Sequence, residues 1–304
     1  MQRRFFFIAA VLLLLMQADV VFAMSSPSFM INWDSINTGG DELSSSTNYS
    51  VQDTVGDFSG SSTSANYQIS SGYRAAQGAD SLSFIIEGQD KATQTAYTAL
   101  SLADKTVTVE SAVPFSVGNY IAVIENNGFS ERVLVGKITS INGLVLTVDK
   151  FDGATDTIGA TPSGGDDFVY VLGTSLASFG TVSANSANTS VVMSSVNSSV
   201  PSGYTVYVQA DQALQNASAQ AIAAPVGTIT VGTEAYGASV TGTRAYLPDS
   251  DASVNASARA IQTNSGPSVA GPDRVSMTYK LSVVSATNSG TYSQNVYYIL
   301  TANY

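Results

Sequence analysis

The stretch "RVSMTYKLSVV", residues 274–284, alternates without a break: Val275, Met277, Tyr279, Leu281 and Val283 share one face, and Ser276, Thr278, Lys280 and Ser282 the other. A period of two sustained this long is that of a half-buried β-strand, whose successive side chains leave opposite faces of the sheet. The closing "TYSQNVYYILTANY" (291–304) repeats the pattern, with Tyr292, Val296, Tyr298, Leu300, Ala302 and Tyr304 on one face. Between the two lies "SATNSGTYS", built of residues that tolerate turns. The spacing predicts an antiparallel hairpin. Its second strand carries no Pro, Lys, Arg, Asp or Glu, the residues that usually blunt a sheet edge. It is therefore expected either to lie inside a sheet or to be used for contact.

The same alternation recurs along the chain. In "GYTVYVQA" (203–210), Tyr204, Val206 and Val208 alternate with Thr205, Tyr207 and Gln209 after a Pro201-Ser202-Gly203 turn. Helical periodicity is nearly absent beyond the first residues, so the expected fold class is all-β, an antiparallel β-sandwich. From Lys105 to Leu172 the strands are shorter, more aliphatic and separated by tight turns. Asn142-Gly143, between "KITSI" and "LVLTV", is a two-residue hairpin signal. Five or six such strands predict a second, small β-barrel with a core of Val107, Val109, Phe115, Ile121, Val123, Val133, Val135, Ile138, Leu144, Leu146, Val148 and Val169. The strands "SLSFIIEG" (81–88) and "TSLASFGTV" (174–182) are expected to belong to one sandwich that the barrel interrupts. The expected organisation is a signal peptide over 1–23, hairpin repeats and the first part of the sandwich over 24–89, the inserted barrel over 90–172, and the C-terminal sandwich over 173–304.

Two resemblances accompany this reading. The phrase "VTVESAVPFSVGNYIAVIE…RVLVGKITSINGLVLTVDKFDGAT" resembles small β-barrel modules of phage-tail and bacterial surface proteins, with Asn119 where their pattern carries an acidic residue. The stretches "INWDSINTGGDELSSSTNYSVQDTVGDFSGSSTSANYQISSGYRA", "SVPSGYTVYVQADQAL", "VGTEAYGASV" and "GTYSQNVYYILTANY" resemble a group of uncharacterised secreted bacterial surface β-proteins. Their last strands are similar to those of WxL-type and spore-coat or fimbrial sandwiches. Trp33-Asp34-Ser35 is not the W-x-L signature. The resemblance implies a structural or adhesive role at a cell surface.

Within the second phrase Asn48-Tyr49-Ser50-Val51 recurs as Asn66-Tyr67-Gln68-Ile69, each after a Ser/Thr run. Such copies suit strands joined by Ser/Gly turns, with Tyr49 and Tyr67 at equivalent positions. They either pack against neighbours or are displayed to a glycan.

Arg3 and Arg4, the apolar run from Phe5 to Leu15 and the small residues at Val21-Phe22-Ala23 read as a secretory signal cleaved after Ala23. Gln17 and Asp19 interrupt the run before it reaches the length of a spanning helix, which argues against an uncleaved anchor, and no later apolar run is long enough to span a bilayer, so no membrane span is expected in the mature chain. Its removal would take the net charge from −11 to −12, because two of the 12 basic and one of the 23 acidic residues leave with it. Such an acidic surface repels phosphate backbones and argues against nucleic-acid binding.

The absence of His and Cys removes Ser-His-Asp and Cys-His catalysis, disulfides and the usual zinc and copper ligand sets. Asp166-Asp167 reads as a pair of solvated turn acids. No S-x-x-K opens a Ser-Lys dyad, the nearest pattern being Thr147-x-x-Lys150, so no catalytic residues and no cofactor are assigned. Calcium takes oxygen ligands alone, and "DKFDGATD" offers Asp149, Asp152 and Asp156 around Gly153, while "PDSDAS" offers Asp249 and Asp251. Neither matches a D-x-D-x-D-G loop, and solvated acidic turns are the alternative. The reading is thus a non-enzymatic secreted or cell-surface protein that meets like subunits or a surface polymer, with Tyr49, Tyr67, Tyr298 and Tyr304 as contact residues. A glycan- or host-surface-binding module using exposed Tyr is the other.

Overall fold

The computed structural model describes the backbone of six short strands between residues 24 and 70, and residues 81–303 except 163 and 248–250. The expected signal segment, Trp33, Tyr49, Tyr67, Asp249 and Tyr304 lie outside the described residues. The chain forms two units, residues 1–79 and 80–304. In the first, β1 (Met24–Ser26) pairs antiparallel with β2 (Phe29–Ile31), and β3 (Ser44–Ser45), β4 (Ser50–Asp53), β5 (Gly60–Thr63) and β6 (Gln68–Ser70) form a meander. The strands that open after Tyr49 and Tyr67, β4 and β6, flank β5 rather than each other.

The second unit begins with β7 (Leu82–Gln89), β8 (Thr95–Ser101), β9 (Thr106–Val109), β10 (Tyr120–Glu125), β11 (Arg132–Asn142), β12 (Val145–Val148), β13 (Asp152–Gly153) and β14 (Phe168–Thr174). Antiparallel pairings run β10, β11, β12, β9, β8, β14, and β14 returns to β10 with Tyr120 opposite Leu172 and Ile124 opposite Phe168. The six pairings close into a ring. It encloses Val107, Val109, Phe115, Ile121, Val123, Leu134, Ile138, Leu146, Val148 and Val169. Three members of the expected core lie elsewhere. Val133 and Val135 point out of the ring, because β11 is buried on both faces there, and Leu144 sits 48% exposed at a hairpin tip. Asn142 pairs with Val145, so the central turn residues are Gly143-Leu144, one step later than the Asn-Gly signal suggests; only Gly143 takes positive φ, at 61°.

The remaining strands are β15 (Asn188–Ser198), β16 (Tyr204–Ala210), β17 (Gln215–Asn216), β18 (Ala235–Thr241), β19 (Arg259–Asn264), β20 (Asp273–Ser282), β21 (Tyr292–Ser293) and β22 (Val296–Ala302). They complete an antiparallel β-sandwich. One sheet orders β7, β15, β20 and β18, the other β19, β16 and β22. Their facing sides bury Val192, Val196, Tyr204, Val206, Val208, Tyr236, Ile261, Val275, Met277 and Tyr279 in one cluster, with Tyr298 and Leu300 against it. Burying each such aliphatic or aromatic side chain contributes about 1.5–3 kcal/mol.

Two expectations are corrected by this arrangement. The strands 274–284 and 291–304 do not form a hairpin: β20 has both edges taken, by β15 and β18, so the chain crosses over and β22 pairs with β16 in the opposite sheet. Of the stretch 174–182 only Thr174 is in a strand, ending β14 opposite Gly88 of β7; residues 175–182 carry none, and β7 lies between β14 and β15, pairing along most of its length with β15. "NTSVVMSSVNS" was illegible because both of its faces are buried and its Ser and Val residues mix on each. On the side away from the sandwich core, Val191 and Met193 of β15 meet Ala122, Ile124, Val133, Val135, Tyr170 and Leu172 of the ring. That apolar layer joins ring to sandwich.

Candidate functional site

Polar groups fill the rest of the junction. The even positions of β20, polar in the sequence, are buried, covered by the ring strands β11 and β13 and, at Lys280, by the segment that carries Asp251. Arg274, with its side chain 1% exposed, donates from Nη1 to Asp149 Oδ1 at 2.9 Å and from Nη2 to Asp149 Oδ2. The backbone N–H groups of Lys137 and Lys150 donate to the same Asp149 Oδ1. Asp152 Oδ2 stands 3.2 Å from Lys150 Nζ and 3.8 Å from Arg274 Nη1. The Tyr120 ring stacks under both Arg274 and Lys137, at 5.4 and 5.5 Å. Burial pushes the Asp149 carboxyl up, but the Arg274 hydrogen bonds and charge with the two backbone donors outweigh it and hold it below the usual range. For Asp152, burial prevails over Lys150 and Arg274 and raises its carboxyl.

Asp149 and Asp152, proposed from sequence as calcium ligands, therefore converge on a guanidinium and an ammonium. Asp156 is exposed and takes no part in these contacts. Among the described residues no group of three or more acidic side chains is placed to hold a metal ion. The cation that the sequence left open is the chain's own Arg274, more than a hundred residues away and invisible to a local motif.

Elsewhere in the junction the Glu131 carboxyl is enclosed, accepting from Thr189 Oγ1 at 2.7 Å and from Gly128 N at 3.2 Å. Burial raises its carboxyl, partly offset by hydrogen bonds from Thr189, Gly128 and Thr278 and by the charge of Lys280. Lys280 pairs with Asp251, Nζ to Oδ1 at 2.8 Å. Of the two turn acids, Asp166 is exposed as expected, whereas Asp167 is buried and accepts from Asn126 N at 2.7 Å and Gly164 N at 3.1 Å. It holds two loops together, so its solvated reading is corrected.

The other candidate place is the edge made by β22. Among the described residues this strand is paired only with β16. Tyr298, a contact residue in the sequence reading, points inward, and its hydroxyl meets that of Tyr279 at 2.6 Å. The aromatic that β22 turns outward is Tyr297, 50% exposed, followed by Ile299 at 40%. Alternation could have found it, since the inward set names its complement. Between this edge and β7 runs an open groove of about 520 Å³ lined by Ile86, Gln209, Val296, Tyr297, Tyr298 and Ile299.

Among the described residues no helix is long and apolar enough to cross a membrane. Compared with protein-family models, curated proteins and solved structures, the chain matches none.

Proposed function

We propose that the protein is a non-enzymatic, secreted or cell-surface structural or adhesive protein that contributes to an extracellular layer or appendage, and that β22 is the edge by which it meets like subunits or a surface polymer. The carrying observation is the combination at β22: pairing on one side only, no charged residue or Pro from Tyr292 to Ala302, and an outward row of Tyr297, Ile299 and Thr301. An open edge of this kind pairs with other strands unless it is blocked. Export rests on the Arg-led apolar run over residues 1–23. No enzymatic role is proposed, since the chain has no His or Cys and the buried carboxylates described are held by cations or backbone donors.

Sedimentation of residues 24–304 over a wide concentration range tests the reading. Reversible growth in mass, reduced by a peptide of residues 291–304, is expected. A monomer at every concentration that binds a surface glycan would favour the second reading, which Tyr297 supports: its half-exposed ring beside Gln209 offers a sugar a stacking face and a hydrogen-bonding amide.

A further inference from the structure

Lys280 and Asp251 are placed as more than an ion pair. Their side chains are 10% and 1% exposed, and Nζ stands 2.8 Å from Oδ1. Oδ2 accepts the Ile229 N–H at 2.6 Å, which fixes the carboxyl plane. Oδ1, in contrast, accepts no hydrogen bond: the amine lies against it outside hydrogen-bonding angles. Both residues are anchored by backbone pairing. Lys280 lies in β20 opposite Gly237 of β18, and Ala252, next to Asp251, exchanges backbone hydrogen bonds with Ala238 of β18 at 2.8 and 2.9 Å. A side chain at position 237 would prevent the approach, because its Cβ would stand 2.7 Å from the Ala252 carbonyl oxygen. The glycine thus lets the Asp251 segment close over Lys280.

We propose that Lys280 and Asp251 are a modification site at which the chain joins itself by an intramolecular amide. One proton passes from the ammonium to Oδ1, giving a neutral amine and a neutral carboxyl. Nζ then attacks Cγ; the Nζ–Cγ bond forms, the Cγ–Oδ1 bond breaks, and Oδ1 leaves as water with the second amine proton. No oxidant, metal or outside reactant is consumed. Fixed proximity supplies the effective concentration that such a condensation needs. The product replaces two enclosed charges, costly to keep from water, by a neutral amide. In a chain without Cys, and so without disulfides, it would supply a covalent fastening, tying the segment around residue 251 to the central strand β20.

Peptide mapping of the full chain as expressed tests the proposal without a variant. Trypsin should not cut after the acylated Lys280, and residues 245–259 and 275–304 should be recovered as one branched species, lighter than their sum by one water. Asp251→Ala and Lys280→Met should each restore the unbranched masses. Free peptides 275–280 and 281–304 at full mass from the parent chain would overturn it. So would loss of one water with Lys280 still cleaved, which would place the loss in an imide at Asp152-Gly153.

Discussion

The hydroxyls of Tyr279 and Tyr298 meet at 2.6 Å across the sandwich, one carried by β20 and the other by β22. Only the two-residue β21 separates the two strands in the chain, yet they lie in opposite sheets, so this contact ties the crossover shut. The Tyr279 ring also stacks on Tyr236, 6.3 Å between centroids and 11° between planes. Burial raises both hydroxyls of the pair above the ordinary tyrosine value, so both stay protonated at neutral pH and one donates to the other. Tyr298→Phe should destabilise by about 1–2 kcal/mol, because it removes a bond and leaves a buried hydroxyl unpaired. Tyr279→Phe should cost about the same, and the double variant less than the sum. Denaturant unfolding of the four proteins measures the coupling.

Arg274 is the counterion of the ring–sandwich junction. Arg274→Met keeps its volume but leaves Asp149 and Asp152 facing one another, for a loss of about 2–4 kcal/mol, tempered because Asp149 is partly open to solvent. Asp149→Asn should cost less, since Arg274 would retain Asp152. Melting in chelator and in excess calcium should coincide for the parent protein, because the oxygen ligands already hold cations.

Acid should act on this junction in two opposed ways. Asp149 has a folded pKa below its unfolded one, so the stability it contributes is present above the ordinary carboxylate range and is lost as pH falls through the depressed value. Glu131 is raised, so its folded form binds the proton more tightly; stability rises as pH falls from the raised value to the ordinary one. Asp149→Asn should flatten the acid limb of the stability profile. Glu131→Gln should remove the decline on the neutral side. Urea unfolding followed across the acid range reads both slopes.

Legibility from sequence follows whether the two faces of a strand differ in polarity, as they do in β20 although both are buried. Val275, Met277, Tyr279 and Leu281, and likewise Tyr204, Val206 and Val208, were found by alternation because their sites are governed by one core. Val133 and Val135 were assigned to the wrong side because β11 is apolar on both sides, which erases the period of two. The strand β15 vanished for the same reason. The acidic positions 149 and 152 were found as a cluster, but their partner was not: a buried ion pair between residues far apart leaves no local pattern. Asp251 reads in the sequence as an oxygen donor for calcium or a solvated turn acid, and nothing there ties it to Lys280.

Gly203 is where the turn into β16 depends on the absence of a side chain. Its φ is +79°, and a Cβ there would stand 1.9 Å from the Asn264 carbonyl oxygen on β19. Both the backbone conformation and the close approach oppose any other residue. Gly203→Ala should cost at least about 2 kcal/mol and loosen the start of β16. Hydrogen exchange at Tyr204 and Thr205 would report the loosening even if the global loss were smaller.

The edge at β22 separates assembly from folding, because the two faces of the strand do different work. Val296, Tyr298 and Leu300 turn inward and support the core, whereas Tyr297, Ile299 and Thr301 turn outward. A Lys placed outward on an edge strand keeps the strand in its own sheet but opposes the approach of another, since its charge would be desolvated on pairing. Ile299→Lys should therefore change stability by no more than about 0.5 kcal/mol, as for an ordinary surface change. It should nevertheless hold the protein monomeric at concentrations where the parent associates. Leu300→Lys, one residue on, should instead unfold the sandwich by forcing a charge into the core. If the parent associates and Ile299→Lys associates equally, contact lies elsewhere on the molecule. If neither associates while Tyr297→Ala abolishes binding to a surface glycan, the outward row of β22 serves a ligand and not a subunit.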